Sequence, residues 1–304
     1  DPLWSRGLGD VYKRQTDNLG ILTVASVYMQ DMITLSDKWK ALAGIRYDSF
    51  EQETRQRIAG QANLNRTDKA WSPRAGLVYQ PSSTQSYYGS LSKSFQPSAE
   101  TLPLATNNAQ MAPEETTSKE VGAKFDLFDG KASATASLFR LERTNIKSAD
   151  GISNVIIPIG KQRTDGIELT FTGDLSGGWQ IWAGYAYMDA KVTDSPTISI
   201  VNGVQIPLQG KRATLTPEHS ANIWLTKALG HGFSAGTGLN YVGDRFANPA
   251  NTVTLPGYTT MDAMLSYRIR GFDLQLNINN LFDRKYIVLS LIHISEPTRP
   301  ERIS

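Results

Sequence analysis

Apolar and polar residues alternate with a period of two along much of the chain, which is the signature of strands with one greasy and one wet face. Met261, Ala263, Leu265, Tyr267 and Ile269 alternate with Asp262, Ser266 and Arg268, with only Met264 out of pattern. Phe272, Leu274, Leu276 and Ile278 alternate with Asp273, Gln275, Asn277 and Asn279. The same rhythm runs through Val121, Ala123, Phe125 and Leu127, and through Ile167, Leu169 and Phe171. Residues 132–143 and 179–189 alternate less cleanly. The pattern predicts twelve strands, over 20–35, 39–53, 69–79, 86–95, 117–127, 132–147, 162–173, 179–193, 218–228, 233–244, 257–269 and 272–280.

Periodicity alone does not separate a soluble sandwich, which buries its apolar face, from a membrane barrel, which turns it to lipid. The connections between strands do. Short ones at 36–38, 80–85, 128–131, 174–178, 229–232 and 270–271 carry turn formers such as Asp129-Gly130 and Ser176-Gly177-Gly178. They alternate with long ones at 54–68, 96–116, 148–161, 194–217 and 245–256. Strict alternation places every long loop on one side, the arrangement of outer-membrane barrels. The expected class is therefore all-β, an antiparallel transmembrane β-barrel.

The two ends carry a relation for which protein physics offers no reason. A permitted codon choice for residues 10–15 has a reverse complement that reads as residues 289–294, and residues 4–9 complement 295–300 in the same way. A DNA adapter ligated in both orientations produces this relation automatically, and both ends resemble a translated library adapter. Residues 1–15 and 289–304 are accordingly expected to be non-native, leaving 16–288 as a partial barrel cut at both ends. Five basic and four acidic residues go with the ends, so the formal net charge falls from +2 to +1, which argues against a nucleic-acid surface. The chain has no cysteine, excluding disulfide scaffolds and thiolate metal sites. No apolar run reaches the roughly 18–20 residues of a helical membrane span.

Six segments, taken in order, resemble the carboxyl-terminal half of TonB-dependent siderophore receptors of the ferric-hydroxamate type. They are Trp71-Ser72-Pro73-Arg74-Ala75-Gly76-Leu77-Val78-Tyr79; Tyr88-Gly89-Ser90 running through Phe95-Gln96-Pro97; Lys119-Glu120-Val121-Gly122-Ala123-Lys124; Gly160 through Gly166-Ile167-Glu168; Leu255-Pro256-Gly257-Tyr258 followed by Asp262; and Asn280-Leu281-Phe282-Asp283-Arg284-Lys285-Tyr286. The resemblance implies about twelve strands of a barrel of roughly 22, with the amino-terminal plug domain absent. It implies a monomer in outer-membrane lipid of a Gram-negative bacterium, a TonB-type energy transducer reached through the plug, and a ferric siderophore as cargo rather than cofactor. Glu120, Lys124 and Glu168 fall on the polar register, where charges pair with one another or with a plug. Gly122 and Gly166 leave room for a close neighbour. The short polar side chains of Asn280 and Asp283 turn the chain.

No nucleophile elbow, phosphate loop or nucleotide fingerprint occurs, so an enzyme reading has no residues to stand on. Gly236-Thr237-Gly238 lies inside a strand, and neither His219 nor His231 has metal-ligand spacing around it. A bulky, partly apolar ferric complex calls for aromatic walls with a few polar or cationic groups. Residues at strand tops and loop roots with that chemistry are Phe95, Gln96, Arg163, Tyr187, Tyr241, Arg245 and Phe246. The competing assignment for the aromatics is an interfacial girdle. A receptor for another cargo (cobalamin, saccharide or iron protein), a plugless porin or adhesin barrel, and a soluble β-sandwich are the alternatives.

Overall fold

The computed structural model describes residues 17–58, 60–96, 104, 111–149 and 156–288; the two complementary ends lie outside them. Twelve strands form one antiparallel sheet in which each strand pairs with the next long strand in the chain. They are β1 (Asn18–Ser36), β2 (Trp39–Gln56), β3 (Leu64–Ser82), β4 (Gln85–Gln96), β5 (Glu114–Leu127), β6 (Ala132–Ala149), β7 (Ile156–Leu175) and β8 (Trp179–Asp194). The sheet continues, after a small hairpin of β9 (Ile198–Val201) and β10 (Val204–Pro207), with β11 (His219–Gly230) and β12 (Phe233–Val242). A second small hairpin, β13 (Arg245–Phe246) with β14 (Thr254–Leu255), precedes β15 (Tyr258–Ile269) and β16 (Phe272–Ile278). The sheet is open, since β1 and β16 do not pair.

Tight turns close one end. His231-Gly232 and Arg270-Gly271 have positive φ at both residues (52° and 85°; 44° and 85°), the backbone that lets a two-residue loop match strand twist. The remaining connections gather at the other end, where several strands run further than periodicity predicts. β3 starts at Leu64 instead of 69 and β5 at Glu114 instead of 117, because strand pairing above an apolar band does not need alternating hydrophobicity. The loop expected at 194–217 contains β9 and β10, joined by Asn202-Gly203 with φ of 50° and 80°. Residues 279–280 drop out of the last strand because Asn280 adopts a φ of 53°.

Register fixes the faces, since paired residues on neighbouring strands share one side. One row across the sheet reads Tyr88, Gly122, Ser137, Glu168, Ala186 and Ser220. The adjacent row reads Gly89, Val121, Leu138, Ile167, Tyr187 and His219. Strands whose sequence alternates poorly obey the same rule: β6 turns Ala132, Ala134, Ala136 and Leu138 one way and Ser133, Thr135, Ser137 and Phe139 the other. On β8 it is Trp182, on the polar face opposite Trp224, that blurs the pattern.

The apolar face is bare. Val121 and Leu138 expose 56% and 54% of their surface. Among the described residues nine apolar side chains are buried, four of them alanine, far too little for a sandwich core. Such a face suits lipid. Aromatic pairs border it: Trp39–Tyr79 (4.7 Å) and Phe233–Tyr267 (4.2 Å) toward the tight turns, Tyr47–Trp71 (4.7 Å) toward the long loops. Trp39 and Tyr47 lie on the same side of β2, about 26 Å apart along the strand at the usual rise per residue.

The polar face is made smooth by rings laid over glycines. A Cβ on Gly122 would come within 2.6 Å of the Tyr88 ring, and Phe139 covers Gly166 in the same manner. Leu169 and Thr170 sit side by side on opposite faces of β7. Leu169→Arg is expected to destabilise the folded barrel by about 2–4 kcal/mol, as a cation at the lipid midplane does, whereas Thr170→Arg shifts the midpoint of unfolding in urea by less than a quarter as much.

Candidate functional site

At the long-loop end, where the β3–β4 ladder stops at Arg74–Ser92, the polar face borders a recess of about 620 Å³ lined by Arg46, Asp48, Phe50, Arg74 and Ser92 and, from the other register of β4, by Leu91 and Phe95. Phe50 and Phe95 stack at 5.4 Å with 30° between ring planes. Beneath them Asp48, nearly fully buried, accepts from Ser26 Oγ (2.5 Å) and from Arg46 Nε (2.8 and 3.0 Å to its two oxygens), while Arg46 Nη2 donates to Ser26 Oγ at 2.8 Å. A buried carboxylate tied to one guanidinium and one hydroxyl holds Arg46 at a fixed position on the wall. Arg74 lies across Gly44, where a Cβ would stand 3.0 Å from its Cγ, and donates to Gln30 Oε1 at 3.0 Å. Above the recess Leu104 is buried and its amide donates to Thr54 Oγ1 (3.1 Å), and Arg66 donates to the Met111 carbonyl (2.5 Å).

Halfway down the same face Tyr88 donates to Glu120 Oε1 at 2.5 Å, and the Lys124 ammonium stands 5.5 Å from the Tyr88 ring. Glu168 lies in the same row as Tyr88, Gly122 and Ser137. Five residues of the sequence motifs, Tyr88, Glu120, Gly122, Lys124 and Glu168, thus form one patch at mid-sheet.

Nearer the last strands, Arg245 is buried, donates from Nη2 to the Ile287 carbonyl (2.6 Å) and stands 5.6 Å from the Tyr258 ring, which stacks on Tyr286 at 4.2 Å. Phe246 takes the Arg212 guanidinium on its face at 5.4 Å. Asp262 accepts from the Asn280 amide at 2.7 Å, and the Leu281 amide donates to the Met261 carbonyl. Asp283, with a φ of 50°, closes the turn that Asn280 opens, its amide donating to the Asn280 carbonyl. Phe282 is 74% exposed.

The structure separates the seven residues that sequence chemistry singled out. Phe95 lines the recess, and Gln96 follows it at the end of β4, opposite Glu114. Arg245 and Phe246 lie apart from these, in the β13–β14 hairpin. Arg163, Tyr187 and Tyr241 are on the apolar side: Arg163 pairs with Asp165 (3.0 Å) above Ile167, Tyr187 packs on the His219 ring (5.1 Å), and Tyr241 shares a row with Tyr185 and Leu169. Phe50, Arg46 and Asp48 escaped the sequence reading. Their signal was the charge pair two residues apart at 46 and 48, which marks even positions of β2 as the wet face and puts Phe50 on it.

The profile described as TonB dependent receptor-like, beta-barrel matches residues 4–281. The chain belongs to the TonB-dependent receptor β-barrel family. The receptor is 32% identical to the metal-pseudopaline receptor CntO of Pseudomonas aeruginosa over 85% of this chain and 36% of that protein. It is 31% identical to the probable TonB-dependent siderophore receptor PiuA of Acinetobacter baumannii, over 86% and 37% of the two chains. The crystal structure of the siderophore receptor PiuA from Acinetobacter baumannii superposes with a TM-score of 0.79 at 29% identity, covering 89% of this chain and 40% of that one. The receptor chain therefore spans little more than a third of the length of these curated relatives.

Membership orients the sheet. Barrels of this family lie in the outer membrane of Gram-negative bacteria, so the tight turns are periplasmic, the long loops extracellular, the apolar face meets lipid and the polar face lines the lumen. The recess with Phe50 and Phe95 lies at the extracellular end, beside the point where β3 and β4 part. Asp48→Ala in the receptor removes the acceptor shared by Arg46 and Ser26 and is expected to cost about 1–3 kcal/mol of barrel stability. Urea titration of the refolded full-length protein checks this, with Asp48→Asn, which keeps an acceptor, falling in between.

Proposed function

We propose that the full-length receptor binds a ferric siderophore at its extracellular mouth and passes it inward past a plug domain, with energy from a TonB-type transducer. The observation that carries this reading is the recess, where two stacked rings, Phe50 and Phe95, stand over a guanidinium fixed by Asp48. A ferric siderophore presents an apolar rim and ligand oxygens bearing partial negative charge, and this wall offers a partner to each. Relatives named as siderophore, ferrioxamine and ferrichrome receptors support the same cargo class.

Within this proposal the cargo wall is Arg46, Phe50, Phe95 and Gln96. Arg163, Tyr187 and Tyr241 belong to the lipid-facing border, and Arg245 and Phe246 shape the loops. The relative named as a metal-pseudopaline receptor favours a second cargo, another metal chelate, taken by the same wall.

The test is uptake of radiolabelled iron, nickel and zinc chelates and of cobalamin by cells whose only such receptor is the restored full-length protein, with and without a functional transducer. Transducer-dependent uptake of a ferric siderophore is expected, and Phe50→Ala combined with Phe95→Ala should weaken binding about tenfold, or ~1.4 kcal/mol. Uptake of cobalamin alone, or none of these cargoes, overturns the proposal.

A further inference from the structure

The three extracellular segments nearest the end of the sheet, 195–218, 243–257 and 281–288, are far apart in sequence yet bonded to one another. The first two are joined by backbone and side chain together. The Leu215 amide donates to the Phe246 carbonyl (2.8 Å), the Arg212 amide donates to Asn251 Oδ1 (2.7 Å), and Asn251 Nδ2 donates back to the Arg212 carbonyl (3.0 Å). Arg212 lies over the Phe246 ring and pairs with Glu218 (3.5 Å) and Asp244 (3.9 Å). The second and third segments are joined by Arg245, through its bond to the Ile287 carbonyl, and Tyr286 of the third stacks on Tyr258, the first residue of β15 after the second.

The first two segments carry buried side chains, whereas residues 281–288 are exposed. Leu208 and Ala250 are each 1% exposed, Leu255 is 5% and Arg245 is 6%. In a molecule whose barrel wall buries so little, loops with buried side chains of their own are out of the ordinary. Asn251, at a φ of 58°, is itself held by its amide on the Asn248 carbonyl (3.0 Å), so its side chain is presented to Arg212 by a fixed turn. The β9–β10 hairpin is closed at its base by the Leu208 amide on the Thr197 carbonyl, and the first segment is tied to β8 by Val192, whose amide donates to the Lys211 carbonyl.

We infer that these three segments are one mechanical unit, an extracellular cap that opens and closes as a single body, with Asn251 and Arg245 as its two joints. Packed contacts that must all break together make such an opening cooperative. A ligand that touches one segment therefore moves all three. That last consequence rests on the reading of this end as the cargo face; the unit itself does not.

Hydrogen exchange followed by mass spectrometry on the full-length receptor in detergent micelles tests it without any cargo. In the wild type the three segments are expected to lose protection in one correlated step, with opening rates that agree within a few-fold. Asn251→Ala cuts side-chain bonds to Arg212 and to the Asn248 carbonyl of its own segment, yet is expected to speed exchange at least tenfold in 281–288, which Asn251 does not touch, while 60–63 between β2 and β3 stays unchanged. Wild-type segments that open at rates more than tenfold apart overturn the unit, and so does an Asn251→Ala effect confined to 195–218 and 243–257. The wild-type arm decides the matter if the variant fails to assemble. Absence of any cargo binding, with correlated opening intact, refutes the cargo reading and leaves the cap standing.

Discussion

A backbone amide inside a bilayer has no water to bond, so each N–H and C=O of a crossing strand must find its partner on a neighbouring strand. That constraint organises the whole receptor. It makes the sheet a simple meander in which every long strand pairs with the next, because hairpins satisfy the ladder with the least intervening chain. It also leaves the edges of β1 and β16 as places where lipid cannot stand, and a barrel of the family's roughly 22 strands covers them. Once the ladder is set, the pleat decides the rest: a residue and its cross-strand partners share a face, and the chemistry of each row follows from whether that face meets lipid or the lumen.

The sequence motifs gain physical content from this register. Tyr88 of one motif donates to Glu120 of the next, and its ring fills the space that Gly122 leaves. The Pro-Gly-Tyr segment and the Asn-Leu-Phe-Asp segment, separated by more than twenty residues, meet twice, once where Asp262 caps the Asn280 amide and once where Tyr258 stacks on Tyr286. These positions are joints between neighbouring strands and loops. Their recurrence as family signals needs no ligand, whereas the rings of the recess, Phe50 and Phe95, are tied to no such joint.

Strand number, order and the sidedness of the loops were legible in the chain because they depend on local alternation and on turn residues. Strand ends at the extracellular side were not, since above the lipid band a ladder can continue with any polar sequence, as β3 and β5 do. The β9–β10 hairpin carried a visible Asn202-Gly203 turn between β-branched residues, yet sat in a stretch assigned to loop by the alternation of short and long connections. The candidate site was the least legible. Tyr187 and Arg245 have equally suitable chemistry for a chelate, and only register and tertiary contact separate a lipid-facing ring from a guanidinium buried under a loop. Arg46 and Asp48, two apart on one strand, were the readable clue to the inner wall.

Odd positions of β7 from Ile167 to Phe171 face lipid and the even ones from Glu168 to Thr172 face the lumen. This chain carries no cysteine, so single cysteines placed in turn at 167–172 of a full-length receptor whose other segments are kept cysteine-free can carry a spin label in liposomes. Dissolved oxygen is expected to relax the label most strongly at 167, 169 and 171, and a water-soluble nickel complex at 168, 170 and 172. Accessibility without a period of two, or with the two sets exchanged, contradicts it.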